Sequence, residues 1–147
     1  MTEIEFHFNV PDKLSYSCRL LRKIYRADNK AVVTGSPDML AALSQTLWAM
    51  SAVEFVPHCG DAAPSPTRAN SPVLLTSNVL DGGFESVLVN LGEDVPAAFE
   101  RFARFIEVVS GEPGDRQSGR GRWKHYKDRG YALRQHDLAA PVAGQGR

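Results

Sequence analysis

The sequence predicts a single α/β domain in which helices flank a mostly parallel sheet. Its 147 residues, of which 43% are hydrophobic, are enough for one domain with a proper core. Strand-like and helix-like patterns alternate over the first 50 residues, and one of the strand patterns is short and almost entirely apolar, as in a buried parallel strand. This order and spacing favour a right-handed βαβ unit.

The first strand and helix are predicted from two different periods. Ile4 to Val10 alternates apolar and polar residues, which is the pattern of a strand with one face on a core. Pro11 and Asp12 end this strand and begin a helix. Leu14 to Ala27 then places apolar residues at three- and four-residue steps, with basic residues mostly on the other side. We therefore expect an amphipathic helix that covers the sheet.

The second strand and helix follow a turn. Ala31 to Thr34 is the nearly all-apolar run. Ser36 stands at a helix-capping position and Pro37 at the first helical position, so a second helix is predicted, with Met39 to Met50 as its body.

The middle of the chain shows shorter strand patterns. Cys59 to Ser71 is rich in Pro, Ala, Ser and Asp and is expected to be a loop. Strands are predicted at Val53 to Pro57, Val73 to Ser77 and Ser86 to Leu91. A third helix is predicted over Ala97 to Val109, because large apolar residues recur there at helical steps.

A basic segment from Arg116 to Tyr131 carries much of the charge asymmetry. Residues 116–147 hold eight Lys and Arg against two acids, so a chain of zero net charge is about +6 there and −6 over its first 115 residues. If the segment is helical, one face forms a cationic stripe with an indole in it. The residues of that stripe are Arg116, Arg120, Trp123 or Lys124, and Lys127.

Three roles fit this stripe. It could follow a nucleic-acid backbone, with aromatic residues as stacking platforms. It could bind an acidic peptide, since arginine forks pair with carboxylates and an apolar pocket beside them supplies selectivity. It could also be a solvated helix face whose aromatic residues turn inward.

The expected boundaries of the domain are residues 1–138, with a disordered tail over 139–147. Gly130 is a plausible stop signal for the basic helix. Cys18 and Cys59 give no disulfide framework, and the N-terminus has no signal-peptide pattern, so a cytoplasmic protein is predicted. No apolar run approaches the roughly 20 residues needed to cross a bilayer.

Motifs for cofactor binding and catalysis do not stand out. The first strand runs into Asn9-Val10-Pro11-Asp12 without a glycine-rich turn to hold phosphate, so a Rossmann-like sheet is predicted without a nucleotide-binding loop. The four histidines and two cysteines show no paired metal-ligand spacing. No nucleophile elbow or prominent carboxylate pair is present. We expect no catalytic residues, no cofactor and no metal.

Several motifs together resemble one family. LW-x6-FVPH, from Leu47 to His58, and R-x-RW-x2-Y-x3-GY, from Arg120 to Tyr131, are the most specific. With FHFNV, SPVLLTS, SVLVNL and FIEVV in the same order, the chain from Ile4 to Leu138 resembles the chi subunit of bacterial DNA polymerase III holoenzyme. This resemblance implies a non-catalytic accessory subunit of the clamp-loader assembly in DNA replication.

The resemblance also implies two protein-binding surfaces. One would bind the acidic C-terminal tail of single-stranded DNA-binding protein, which ends in Ile-Pro-Phe. The other, at Trp48 and Phe55, would bind the psi subunit or a helicase. The positions that match the tail-binding surface are Arg120, Trp123 and Lys124, with Val109, Tyr126 and Arg116 nearby.

The sequence also fits an alternative, namely a module that binds single-stranded nucleic acid directly through the same stripe. Such binding would weaken steeply with salt. The acidic body of the chain argues against it, because a long polyanion would meet repulsion beyond the stripe.

Overall fold

The computed structural model describes residues 2–50, 55–61, 63, 71–77, 79 and 87–139. Seven strands and three α-helices lie in these ranges. The strands are β1 (Glu3–Val10), β2 (Ala31–Thr34), β3 (Cys59–Gly60), β4 (Val73–Leu75), β5 (Val87–Asn90), β6 (Arg104–Ser110) and β7 (Leu133–Asp137). The helices are α1 (Lys13–Arg26), α2 (Pro37–Trp48) and α3 (Pro113–Asp128).

All seven strands pair in parallel, in the order β3-β4-β2-β5-β6-β1-β7. The predicted α/β fold with a parallel sheet is therefore confirmed. β1 lies between β6 and β7, and His7 is the register partner of Val108 on one side and of His136 on the other.

The sheet separates two apolar cores. On one face, α1 and α2 contribute Leu21, Ile24, Leu43 and Leu47 to a cluster with inward residues of the central strands. On the other face, Tyr126 of α3 packs among the remaining strand side chains and the short 3-10 turn at Phe99–Arg101. Because both faces are covered, the central strands are mostly apolar on both sides, as parallel strands usually are.

The predicted helix starts are confirmed in detail. Asp12 caps α1 by accepting a hydrogen bond from the Ser15 amide at 3.2 Å. Ser36 caps α2 by accepting from the Met39 amide at 3.1 Å, and Pro37 occupies the first turn. Both helices end within two residues of the predicted positions.

The prediction of a third helix over Ala97 to Val109 was wrong. The 3-10 turn at Phe99–Arg101 covers only its beginning, and the rest forms β6. Ile106, Val108 and Val109 are β-branched and all buried, so these residues suit a strand covered on both faces better than a helix with one apolar stripe. Helical and strand periods are hard to tell apart in such a short apolar run.

The strand predicted at Val53 to Pro57 is displaced. Residues 51–54 lie outside the described part, residues 55–58 are not in a strand, and the strand of this region is β3. Two other strands are slightly shorter than predicted, since β4 ends at Leu75 and β5 covers Val87–Asn90. Residues 81–86 and 140–147, where a turn and most of the predicted tail fall, also lie outside the described ranges.

The basic segment is helical, as predicted, but α3 begins three residues earlier, at Pro113. Gly130 ends the turn after it with a φ of 84°, a left-handed conformation that glycine adopts without strain. Among the described residues, no helix has the length and apolar character that crossing a membrane requires.

Candidate binding surfaces

An amphipathic groove lies between α3 and the edge of the sheet at β1 and β7. We call it the α3 groove. Its volume is about 250 Å³. The residues that line it are Phe6, Phe8, Val109, Arg116, Gly119, Arg120, Trp123 and Gln135.

Strand and helix periodicity bring the apolar part of this groove together. Phe6 and Phe8 are two residues apart on β1 and so point to the same face. The Trp123 ring packs edge-on against Phe6, with 5.1 Å between ring centroids. Gln135 joins them because it is the register partner of Phe6 on β7.

Gly119 brings α3 close to the sheet at this point. A Cβ atom added at Gly119 would lie only 3.0 Å from Val109 Cγ2 and 3.1 Å from Cγ1. Any larger residue would therefore push the helix or Val109 away. The glycine that weakens the helix in isolation allows the close approach that shapes the groove.

Two arginines form the charged rim of the α3 groove. Arg116 and Arg120 are one helical turn apart and both are exposed. The ion pairs found among the described residues involve neither of them. Their guanidinium groups thus remain available to a carboxylate ligand.

The other residues of the predicted tail-binding set lie elsewhere. Lys124 is exposed on α3 but does not line the groove. Tyr126 is fully buried and packs against Phe6, Phe99 and Phe105, so it lies in the core below the surface. Phe6, Phe8 and Gln135 line the groove although the sequence interpretation did not include them. The alternation in β1 is a signal for the two phenylalanines, whereas Gln135 becomes a neighbour only through the β1–β7 pairing.

A buried polar network holds α3 on the sheet. Glu107, in the middle of β6, is completely buried, and Arg122 is 3% exposed. Glu107 accepts hydrogen bonds from Arg122 Nε at 3.0 Å, from the Tyr126 hydroxyl at 2.6 Å and from Asn90 Nδ2 at 3.0 Å. Arg122 Nη1 also donates to the carbonyl of Glu93 at 2.9 Å. Nothing in the sequence alone distinguished Arg122 from the exposed arginines around it.

Burial opposes charge in this network. Burial raises the pKa of Glu107 above its ordinary value, although the Arg122 charge and the three donors act in the opposite direction. Burial, followed by the adjacent Glu107 charge, raises the pKa of Tyr126, so its hydroxyl stays protonated and donates to the carboxylate. Because Glu107 and Arg122 are both desolvated, either side chain without the other would be a costly buried charge.

A second surface lies at the end of α2. Trp48 is 65% exposed, which is unusual for so large an aromatic side chain. It contacts Phe55 and His58, with ring centroids 5.0 and 5.3 Å away. His58 is itself fixed, because its Nδ1 donates to the carbonyl of Val56 at 2.8 Å and its Nε2 accepts from the Ser44 hydroxyl at 3.1 Å. We call Trp48, Phe55 and His58 the aromatic cluster.

The cleft at the carboxyl ends of the strands is where parallel α/β folds usually bind ligands. Here it measures about 1180 Å³. Among the described residues, the charged side chains that line it are the acids Asp12, Glu93, Asp94, Glu112 and Asp115 and the base Lys13. Lys13 is paired with Asp115 at 3.0 Å. This excess of acids disfavours a phosphate, in agreement with a sequence that has no glycine-rich phosphate loop.

The fold that carries these surfaces is an α/β domain with an all-parallel sheet that is covered on both faces. Within that class the chain belongs to the DNA polymerase III chi subunit family, whose family model, described as DNA polymerase III chi subunit, HolC, matches residues 1–134. It is 28% identical over 144 residues to the DNA polymerase III subunit chi of Pseudomonas aeruginosa, covering 94% of this chain and 98% of that protein. The family resemblance seen in the sequence is thereby confirmed, and the family is one of accessory subunits in DNA replication.

Proposed function

We propose that this protein links the DNA polymerase III clamp loader to single-stranded DNA-binding protein by binding that protein's acidic C-terminal tail in the α3 groove. The role is non-catalytic and is carried out in the cytoplasm. The observation that carries the proposal is the combination, in one groove, of an apolar floor and two exposed arginines without ion-pair partners among the described residues.

The apolar floor suits the terminal aromatic residue of such a tail. Phe6, Phe8, Val109 and Trp123 supply contacts on several sides. A groove of about 250 Å³ exceeds the roughly 150 Å³ of a dry cavity that accepts benzene. A phenyl ring therefore fits, with an edge-on or offset contact to Trp123 as the favoured geometry.

The rim suits the terminal carboxylate and the acids before it. Arg116 and Arg120 can each donate two parallel hydrogen bonds to a carboxylate. Since both arginines are exposed, their contribution is screened by salt. We expect modest affinity that weakens as ionic strength rises.

The second half of the link is proposed at the aromatic cluster. Trp48 and Phe55 would contact the psi subunit or a helicase, which would connect the tail-binding surface to the rest of the replication machinery. A Trp that is 65% exposed and already held against two rings loses little conformational freedom when a partner covers it.

Titration of the purified protein with the tail peptide of its own single-stranded DNA-binding protein tests the first surface. Calorimetry should show saturable binding that is lost when the final Phe of the peptide is removed. Arg120→Ala should weaken binding about tenfold or more, as expected for removal of a charge-assisted pair worth roughly 1.5–3 kcal/mol.

Lys127→Ala is the matched control, because it removes the same charge from an exposed position on α3 that does not line the groove. It should change affinity by less than about threefold, through long-range attraction alone. Equal losses for Arg120→Ala and Lys127→Ala would show that the peptide responds to net charge and not to the groove. No peptide binding, together with salt-sensitive binding to a naked oligonucleotide, would favour direct nucleic-acid binding instead.

A further inference from the structure

A cluster of three potential metal ligands lies on the opposite face of β1 from the α3 groove. Glu5 and His7 are two residues apart on β1 and are both buried. His136 of β7 is the direct register partner of His7. One ligand atom from each of the three residues lies within 4.8 Å of the other two.

The separations are close to those of a coordination sphere. His7 Nε2 lies 3.2 Å and His136 Nε2 lies 3.7 Å from Glu5 Oε1. Ligand atoms around a tetrahedral Zn²⁺ with bonds of about 2.0–2.1 Å stand roughly 3.3 Å apart. The His136 side chain is 56% exposed, so its ring has room to adjust towards the other two ligand atoms.

The surroundings of His7 also suit a ligand. Its other ring nitrogen, Nδ1, is hydrogen-bonded to the Tyr16 hydroxyl of α1. A protein oxygen in this position commonly orients a metal-bound imidazole and fixes its tautomer.

We propose that Glu5, His7 and His136 form a binding site for a divalent transition-metal ion such as Zn²⁺. Two imidazoles and one carboxylate are a ligand set that Zn²⁺ accepts, and the open side next to His136, whose side chain is 56% exposed, leaves a position for water. The bound ion joins β7 to β1 through side chains, in addition to their backbone pairing.

Arg104 is the competitor of this site. Its Nε and Nη2 donate to the two oxygens of Glu5 at 3.2 and 3.4 Å. This guanidinium occupies the position of a cation beside Glu5, but its side chain is 43% exposed and can swing into solvent. Binding of the metal therefore replaces one cation by another at the same carboxylate.

Calorimetric titration of the purified, chelator-treated protein with Zn²⁺ tests the site. The wild-type chain should bind one ion. His136→Gln and His7→Gln should each weaken binding by at least tenfold, whereas His125→Gln, on α3 at the other face of the sheet, should leave it unchanged. Arg104→Gln should tighten binding, because the competing cation is gone.

Thermal unfolding with and without Zn²⁺ supplies a second measurement. A ligand that binds only the folded chain raises its melting temperature, and His136→Gln should abolish that rise. His136 is exposed, so this variant is expected to fold even if His7→Gln does not. Absence of saturable Zn²⁺ binding by the wild type, or equal binding by His136→Gln and wild type, would overturn the proposal.

Discussion

The α3 groove and the aromatic cluster both present a tryptophan, but the two side chains are held in different ways. Trp123 is half-buried on the sheet, and its helix is fixed from below by the Glu107–Arg122 pair. Trp48 is 65% exposed and rests on two neighbouring rings. The α3 groove therefore shares side chains with the core, whereas the aromatic cluster lies on the surface of the domain.

This difference separates structural from binding effects. Substitutions of the apolar residues in or below the α3 groove change stability and ligand binding together, because these residues also belong to the core. Substitutions in the aromatic cluster should change partner binding almost alone.

Breaking the buried pair should give the largest effect. Arg122→Ala leaves Glu107 as a buried carboxylate without its cation, so the free energy of unfolding should fall by about 3–5 kcal/mol. Urea denaturation measures this loss. Arg120→Ala, an exposed arginine of the same helix, is the control and should cost no more than about 0.5 kcal/mol. Similar losses for both variants would mean that the network does not hold α3 in place.

Exchanging the two tryptophans for alanine compares the surfaces directly. Trp123→Ala removes the ring packed on Phe6 and should lower the free energy of unfolding by about 2 kcal/mol, roughly half the cost for a fully buried aromatic. Trp48→Ala should lower it by only about 0.5 kcal/mol. Urea denaturation of both variants measures these values. An equal or larger loss for Trp48→Ala would contradict the proposed contrast.

Substitution of Asp115 tests how the stability contributed at the start of α3 depends on pH. Burial tends to raise the pKa of this carboxyl, but hydrogen bonding from the Ser110 amide at 2.7 Å and the Lys13 ammonium at 3.0 Å outweigh it and leave the pKa below the ordinary value. A lowered pKa means that the charged form stabilises the fold above the ordinary Asp pKa of about 3.9. This contribution is lost as pH falls through the lower, folded-state pKa.

Asp115→Asn should therefore lower the free energy of unfolding by about 1.5–2 kcal/mol at pH 7 and by progressively less as the pH falls below the ordinary Asp pKa of about 3.9. Denaturation across this pH range measures the difference. Asp128→Asn, at the exposed end of the same helix, is the control and should show little pH-dependent change. A loss for Asp115→Asn that is constant with pH would show that its charge is not involved.

Substitutions at Gly119 and Gly121 of α3 should give the smallest effect, and they test the close approach of the helix to the sheet. Nothing lies within 4 Å of a Cβ added at Gly121, so Gly121→Ala should stabilise the protein by up to about 1 kcal/mol. Gly119→Ala meets Val109, which is buried, and should be at least about 1 kcal/mol less stable than Gly121→Ala. Thermal unfolding of both variants checks the order. Equal stabilisation would show that Val109 yields without cost.

Local sequence signals identified the elements that have both a clear period and a marked start. The helices α1 and α2 are examples, because the caps at Asp12 and Ser36 act over only three residues. The strands β1 and β2 that precede these helices were also identified. The pattern failed at Ala97 to Val109, because a strand buried on both faces has no alternation to separate it from a helix. Helical spacing also brought Arg116, Arg120 and Trp123 to one side of α3, where all three line the groove.

The sequence by itself determined the α/β class, the family resemblance, the helix caps and the cationic face of α3, because these depend on periodicity and on neighbours a few residues apart. Only the tertiary structure decided that Arg122 is buried against Glu107, that Gln135 completes the groove and that His136 meets His7. These contacts join residues far apart in the chain. They depend on the strand order and register of the sheet, which are set by packing of the whole domain.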